Sequence, residues 1–315
     1  MIKIIGASCI NGQWVGGIEV EGFYPPNTFD ASIFEVNGHR EVSVRPVLQW
    51  REVHDWGGHV WGGDPNGGDP DKVHLGREEV RKQRALEKAA KRATTACRRT
   101  IKTGRFNEML TITYRANQTD RALCKKHFKE WVRRMKRALP SFQYCAAVEA
   151  QERGAMHVHV ATHKLPQHAL YKGVKIKAWE LGTRIWRDIV GDFPFVGPLR
   201  PSESFPKITN GLVFVGGKSK FGSPARRRMS LAQMAAYISK YITKDYAACP
   251  MGSNRYSRSD DLTPPKPQKI RFTDYSMAAL VELLFDVPDG HSLVSHRVGY
   301  FGDSYWLCTE PENPC

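Results

Sequence analysis

The apolar positions between residues 105 and 248 alternate between a period of two and a period of 3.6. Short runs rich in β-branched residues predict strands at 109–114, 142–148, 156–162 and 212–215. Longer runs with helical spacing predict helices at 120–139, 179–190 and 230–246, capped by Thr119 or Asp120 and by Ser230. Only a short glycine-containing turn separates 142–148 from 156–162, which predicts a hairpin. The predicted fold class is therefore α+β with an antiparallel sheet.

The two ends of the chain give weaker patterns. Parts of 1–60 alternate like strands, and 57–71 is dominated by Gly, Asp and Pro, which predicts a linker. Residues 77–103 contain neither Pro nor Gly and predict one helix. Beyond the middle of the chain we expect a Pro/Lys linker at 264–269, a helix at 274–285 and a hairpin at 297–307. The predicted domains are an N-terminal extension at 1–75, a basic helix at 76–104, a main domain at 105–248 and a C-terminal extension at 249–315.

The charge balance directs the search for a partner. The chain has 47 Lys and Arg against 32 Asp and Glu, a net charge of +15. Such a surplus favours a polyanion, most often nucleic acid and second an anionic membrane, and composition does not separate the two. No apolar run approaches 18 residues, and the seven scattered cysteines have no CxxC spacing. We expect reduced thiols, a cytoplasmic protein and no membrane partner.

The predicted helix at 77–103 has an unusually basic face. It is either a solvated face or a phosphate-backbone contact, and both alternatives stay open because acidic partners at i,i+4 are few. The basic positions are Arg81, Lys82, Arg84, Lys88, Lys91, Arg92, Arg98 and Arg99.

The first set of residues that can carry chemistry is His157 and His159, separated by one valine. In a strand these two side chains leave the same face, which suits bidentate metal binding, although an isolated pair of this kind usually binds nothing. Glu149 lies eight residues upstream. If the hairpin closes near Arg153 and Gly154, its carboxylate arrives beside the imidazoles. One carboxylate and two imidazoles leave coordination positions open, as a Lewis-acid catalyst requires.

The second set lies on the predicted helix that begins after Ser230. Tyr237 and Tyr241 are at i and i+4 and share a helical face, and Lys240 and Lys244 repeat the spacing. Each tyrosine is followed three residues later by a lysine, so each phenol can have its own ammonium. A nearby cation lowers a phenol pKa and favours nucleophilic attack. The alternative, two core tyrosines and two surface lysines on an ordinary amphipathic helix, stays open.

Three motifs in this order resemble the HUH endonucleases, and among them the replication initiators of small circular phages and rolling-circle plasmids. The motifs are the strand at 110–113, the His157-Val-His159 pair with its upstream Glu149, and the tyrosine helix at 237–244. The segment 149–159 is similar to filamentous-phage replication endonucleases in particular. The resemblance covers about 105–248. It implies a central antiparallel sheet with helices against one face, metal ligands on central strands and the tyrosine helix alongside.

The resemblance also implies an activity. Glu149, His157 and His159 would bind Mg²⁺ or Mn²⁺, which polarises a phosphate of single-stranded DNA at a replication origin. Tyr237 or Tyr241 would attack and become joined to the 5′ phosphate, and the family does not settle which acts first. A host polymerase extends the free 3′-OH, with a host helicase as a further partner, and the second tyrosine later closes the displaced strand. The phosphotyrosine bond conserves the cleavage energy, so no ATP is needed.

Predicted DNA contacts lie on the motif strand, in the hairpin turn and in a basic loop before the tyrosine helix. They are Thr111, Thr113, Arg153, Lys218, Lys220, Arg226, Arg227 and Arg228. The same loop begins with a segment at 215–219 similar to the end of a phosphate-binding loop. Position 212 is Leu212 rather than the required glycine, which argues against ATP binding.

Two rival functions stay open. A two-tyrosine HUH transposase uses the same chemistry, although the Cys-rich zinc module expected before its catalytic domain is missing from this sequence. A non-catalytic nucleic-acid-binding protein with an incidental histidine pair is the alternative from a different class.

Overall fold

The computed structural model describes residues 2–5, 8–10, 13–15, 18–55, 70–114, 117–152, 154–191, 208–211, 230–244, 249 and 252–312. The chain divides into two compact units. The terminal unit comprises Met1–Arg84 and Pro265–Cys315, and the central unit comprises Ala85–Pro264. Within the described ranges no helix is long and apolar enough to cross a membrane. The five cysteines whose side chains are described are buried and form no disulfide.

The elements follow in chain order. The first strands are β1 Ile2–Ile5, β2 Ser8–Ile10, β3 Gln13–Val15, β4 Ile18–Phe23, β5 Phe29–Val36, β6 His39–Pro46 and β7 Gln49–Asp55. Next come α1 Pro70–Thr103, β8 Glu108–Ile112, α2 Arg121–Ala138, β9 Tyr144–Ala150, β10 Met156–Thr162, β11 His168–Tyr171, β12 Val174–Lys177, α3 Ala178–Val190, β13 Ile208–Gly211 and α4 Leu231–Lys244. The last are β14 Tyr256–Arg258, β15 Gln268–Phe272, α5 Met277–Leu284, β16 His291–Val298 and β17 Tyr305–Pro311.

The central unit is built around a five-stranded antiparallel sheet in the order β13-β8-β10-β9-β14. Strand β10 lies in the middle, with β9 on one side and β8 on the other. This register places His157 opposite Glu149 and places His159 opposite Thr111. The predictions of an α+β class and an antiparallel hairpin are confirmed.

Helices cover both faces of this sheet. On one face, Leu110, Val158 and Val160 pack in the core that includes buried side chains of α2 and α3. Ala147 and Ala161 point to the opposite face, because successive strand residues alternate, and pack in the core with α4 and the end of α1. The expectation that helices lie against one face was therefore wrong. Strand β10 is apolar on both sides, which fits a strand buried between two helical layers.

Local signals located most elements of the central unit. Asp120 caps α2, accepting hydrogen bonds from the backbone N–H groups of Ala122 at 2.8 Å and Leu123 at 3.0 Å. Strand β8 ends at Ile112, short of the predicted residue 114, and β9 runs two residues later than predicted. The predicted strand at 212–215 lies outside the described residues.

Helix α1 begins at Pro70, inside the segment predicted to be a linker. Proline is favourable at the first helical position because its missing N–H would have no intrahelical partner there. Asp71 follows it in the first turn, where a negative charge interacts favourably with the helix dipole. The predicted start at residue 77 was too late.

The terminal unit joins strands from both ends of the chain in one antiparallel sheet, ordered β15-β5-β6-β17-β16. Helix α5, capped by Ser276, covers one face through Leu280 and Leu284, which pack on Val42 and Val44. The predicted helix at 274–285 and hairpin at 297–307 are confirmed with shifted ends. Strand β15 begins at Gln268, inside the predicted Pro/Lys linker. The unit also has a three-stranded sheet, β1-β4-β7, and the ribbon β2-β3.

Candidate active site

A carboxylate and an imidazole are in direct contact on the central sheet. Glu149 on β9 and His159 on β10 are joined by a hydrogen bond of 2.8 Å between Oε2 and Nε2. Their side chains are only 12% and 6% exposed. His157 leaves the same face of β10, directly opposite Glu149 in the strand register. The hairpin therefore brings the three predicted metal ligands to one face of the sheet.

Neighbouring polar side chains hold both imidazoles at Nδ1. The Thr111 hydroxyl lies 3.3 Å from Nδ1 of His159, and the Gln151 amide nitrogen lies 3.2 Å from Nδ1 of His157. Contacts of this kind fix the orientation of an imidazole ring. The sequence analysis missed Gln151, although it follows Glu149 by two residues in the same hairpin.

The two tyrosines are carried by α4, whose start is defined by a reciprocal cap. The Gln233 N–H donates to the Ser230 hydroxyl at 3.2 Å, and the Ser230 N–H donates to the Gln233 side-chain oxygen at 3.1 Å. Ala235, Ile238 and Ile242 bury one face of the helix in the sheet's core. The cap and this apolar face give α4 a defined position beside β9 and β10.

Both phenol rings contact the ring of His159. Tyr241 stacks on it with centroids 4.4 Å apart and an angle of 10° between the planes. Tyr237 meets it edge-on at 5.8 Å, and the two tyrosine rings lie 5.3 Å apart. The structure thus brings both predicted nucleophiles to the imidazole that binds Glu149.

The two lysines of α4 do not serve one tyrosine each. The Lys240 ammonium lies 4.2 Å from the ring centroid of Tyr237 and 4.9 Å from that of Tyr241. Lys244 instead binds Glu149, with 3.0 Å between Nζ and Oε1. The expectation of a separate ammonium for each phenol was wrong, because Glu149 lies within reach of the last turn of α4.

The electrostatics differ for the carboxylate and the buried phenol. Burial raises the pKa of Glu149, but hydrogen bonds from His159 and Lys244 outweigh it, so the net pKa is lowered and the carboxylate is ionised. Burial raises the pKa of Tyr241 far above its ordinary value, and the hydrogen bond to Tyr237 raises it further. A lysine was expected to lower it; at Tyr241 desolvation is the larger effect.

An open pocket of about 490 Å³ lies against these residues. Its lining is strongly polar, with an anionic carboxylate, two ammonium groups, a phenol and a hydroxyl. The residues are Glu149, Lys240, Tyr241, Thr243 and Lys244. The positive groups suit a phosphodiester, and the phenol faces the same space.

The donor types suit a divalent cation. One carboxylate and two imidazoles fit Mn²⁺ better than Mg²⁺, because Mg²⁺ prefers oxygen ligands. Within the described ranges, no three His, Cys, Asp or Glu side chains are arranged as a metal-binding group. Glu149 and His159 are hydrogen-bonded to each other, and His157 contacts Gln151.

The predicted DNA contacts are only partly described. Thr111 is half-buried and touches His159, as above. The carbonyl oxygen of Thr113 accepts a hydrogen bond of 3.0 Å from Nε1 of Trp186. The basic positions Arg153, Lys218, Lys220, Arg226, Arg227 and Arg228 lie outside the described residues.

An antiparallel sheet that presents a Glu–His pair to two tyrosines defines a candidate phosphodiester-transfer centre. Residues 107–246 match the model of a family described as replication-associated protein ORF2. The matched segment contains Glu149, both histidines and both tyrosines. This similarity supports a role in replication initiation and an interaction with DNA. The comparison with curated proteins finds no match, and the comparison with solved structures finds none either.

Proposed function

We propose that this protein is a metal-dependent endonuclease and strand transferase. It nicks single-stranded DNA at an origin and so initiates and terminates rolling-circle replication in the cytoplasm of a host cell. The observation that carries the proposal is the contact of both tyrosine rings with His159, which is itself bonded to Glu149. The similarity of 107–246 to replication-associated proteins supports it.

Glu149, His157 and His159 would hold the cation, with Thr111 and Gln151 orienting the imidazoles. A bound Mn²⁺ or Mg²⁺ would supply positive charge to a non-bridging phosphate oxygen as charge develops there. The ammonium groups of Lys240 and Lys244 line the same pocket and add to this stabilisation.

The transfer itself exchanges one phosphate ester for another. The oxygen of one phenol forms a bond to phosphorus, and the bond from phosphorus to the 3′ oxygen breaks. The phenol gives up a proton and the departing 3′ oxygen gains one. A host polymerase extends this 3′ end while a host helicase opens the duplex. The second phenol then attacks the regenerated junction, because the first one still holds the 5′ end.

A covalent-adduct assay tests the proposal. Purified protein is mixed with a labelled single-stranded origin oligonucleotide and Mn²⁺ and then separated under denaturing conditions. We expect a labelled band that disappears on addition of a chelator and in the double variant Tyr237→Phe/Tyr241→Phe. Binding without any adduct, with a correct origin sequence, would instead favour the non-catalytic nucleic-acid-binding alternative.

A further inference from the structure

The turn between β16 and β17 in the terminal unit presents two aromatic residues to solvent. Tyr300 is 95% exposed and Phe301 is 84% exposed, the highest values among the described large hydrophobic residues. Packing within the described unit does not explain them, since neither ring is buried in it. Exposed apolar groups of this size at one point often mark a binding surface.

The turn that carries these rings is well defined. The Gly299 N–H donates to the Ser304 carbonyl at 2.7 Å, and the Gly302 N–H donates to the Gly299 carbonyl at 2.9 Å. Gly302 has φ +66°, a conformation that favours glycine. The rings of Tyr300 and Phe301 lie 5.0 Å apart at 90°. An edge-on pair cannot cover both of its own ring faces, so a flat face is left for another group.

A cation and a third aromatic ring lie on the strands below the tip. Arg297 is exposed and pairs in register with Trp306, and its guanidinium lies 5.9 Å from a ring centroid of that tryptophan. One acidic residue, Asp303, sits in the turn and accepts a hydrogen bond from Ser304. The hairpin end therefore combines flat apolar surface with one nearby cation, in a chain of net charge +15.

We propose that the tip of the β16–β17 hairpin binds unpaired DNA bases by stacking on Tyr300 and Phe301, with Arg297 near the backbone phosphate. The inference rests on the proposed function for its choice of DNA as partner. Aromatic side chains with a neighbouring cation suit single strands, because unpaired bases offer free faces. A base can stack on a ring while its phosphate points away from Asp303, whereas an anionic membrane surface on the tip would meet that carboxylate directly.

Fluorescence anisotropy with a labelled single-stranded oligonucleotide, and with the matching duplex, tests this assignment. We expect Tyr300→Ser/Phe301→Ser to bind the single strand roughly tenfold to a hundredfold more weakly. Duplex binding should change less than threefold. Tyr300→Trp/Phe301→Trp should restore the affinity, since the rings rather than the particular residues are required. Tyr24→Ser, at a position 61% exposed in the same unit, is the matched control and should bind as the native chain does.

Equal single-strand affinity of the native and double-serine proteins would overturn the proposal. So would equal losses for single strand and duplex, or sedimentation of the native but not the double-serine protein with vesicles containing 30% phosphatidylserine. The adduct assay on the native chain keeps the two ideas apart. An adduct without an effect of the serine variant removes this inference alone. An effect without an adduct removes the nicking activity and leaves the stacking site.

Discussion

At the residue scale, Tyr237 and Tyr241 lie one helical turn apart but have different surroundings. Tyr241 is 5% exposed and stacks face to face on His159, while Tyr237 is half-buried and meets the same ring by its edge. Lys240 lies near both rings. Two unequal nucleophiles beside one imidazole suit successive transfers, in which one phenol holds the 5′ end while the other attacks.

The two phenols should be separable by substitution. We expect Tyr237→Phe and Tyr241→Phe each to retain some cleavage of a single-stranded origin oligonucleotide, in unequal amounts. Each should fail to complete circularisation, because transfer between two phosphotyrosines needs a second acceptor. The double variant should form no adduct. Phenylalanine keeps the ring, so helix packing is preserved and the loss can be assigned to the hydroxyl.

Mass spectrometry of the trapped peptide measures which tyrosine is joined to DNA, because trypsin cleavage at Lys240 separates the two positions. Tyr171→Phe, in the β11–β12 hairpin, is the control and should leave the adduct unchanged. An adduct on one tyrosine only, with full circularisation after loss of the other, would make this a one-tyrosine enzyme.

The histidines should matter for chemistry more than for affinity. We expect His157→Ala and His159→Ala each to lower the nicking rate about 100-fold or more, by removing transition-state stabilisation. Glu149→Ala should be impaired as well. Single-strand binding should stay largely intact, because the basic surface supplies it. His168→Ala on β11 is the matched control. Unchanged nicking by either variant of the paired histidines would refute the proposed metal site.

At the element scale, the β9–β10 hairpin aligns the carboxylate with the imidazoles. Its turn uses Gly154 at φ +82°, and the β11–β12 turn uses Gly173 at φ +78°. A side chain in this region of φ is strained. A Cβ on Gly154 would also lie 3.3 Å from Thr119, whereas nothing lies within 4 Å of the corresponding position at Gly173.

Alanine at these two glycines should separate stability from activity. We expect Gly154→Ala and Gly173→Ala each to lower the free energy of unfolding by about 1–2 kcal/mol, measured by urea denaturation. Only Gly154→Ala should also reduce the adduct yield, because only that turn aligns Glu149 with His157. Equal effects of the two variants on nicking would show that the hairpin register is not a sensitive feature of the site.

At the scale of the whole molecule, the net charge of +15 can act through a particular surface or through its sum alone. Lys88, Lys91 and Arg92 are exposed on α1, which leaves both interpretations of the basic helix available. Lys172, Lys175 and Lys177 of the β11–β12 hairpin are also exposed and provide a second group of three charges.

Charge neutralisation decides between these interpretations of α1. If its basic face contacts phosphates, Lys88→Gln/Lys91→Gln/Arg92→Gln should lower the slope of log affinity against log salt by about 2 for single strands, at roughly 0.7 per contact. The same neutralisation of Lys172, Lys175 and Lys177 is the control for net charge and should change the slope less. Equal changes for both variants would assign the affinity to the summed charge rather than to α1.

Much of this protein could be predicted from local sequence patterns. The period of the apolar residues, the cap at Asp120 and the turn between β9 and β10 indicated the α+β class and the antiparallel hairpin. The spacing of His157 and His159 on a strand, and of Tyr237 and Tyr241 on a helix, indicated the shared faces. These features depend on residues two to four positions apart, or directly opposite across a short turn, so the sequence alone determines them.

Only the tertiary structure decided how distant residues meet. The ion pair between Glu149 and Lys244 joins residues 95 positions apart, and the Arg271–Asp30 pair joins residues 241 apart in a sheet built from both ends of the chain. Burial likewise set the direction of the Tyr241 pKa against the nearby cation. Desolvation and long-range pairing arise only when layers pack, and no local period or spacing encodes which layers those are.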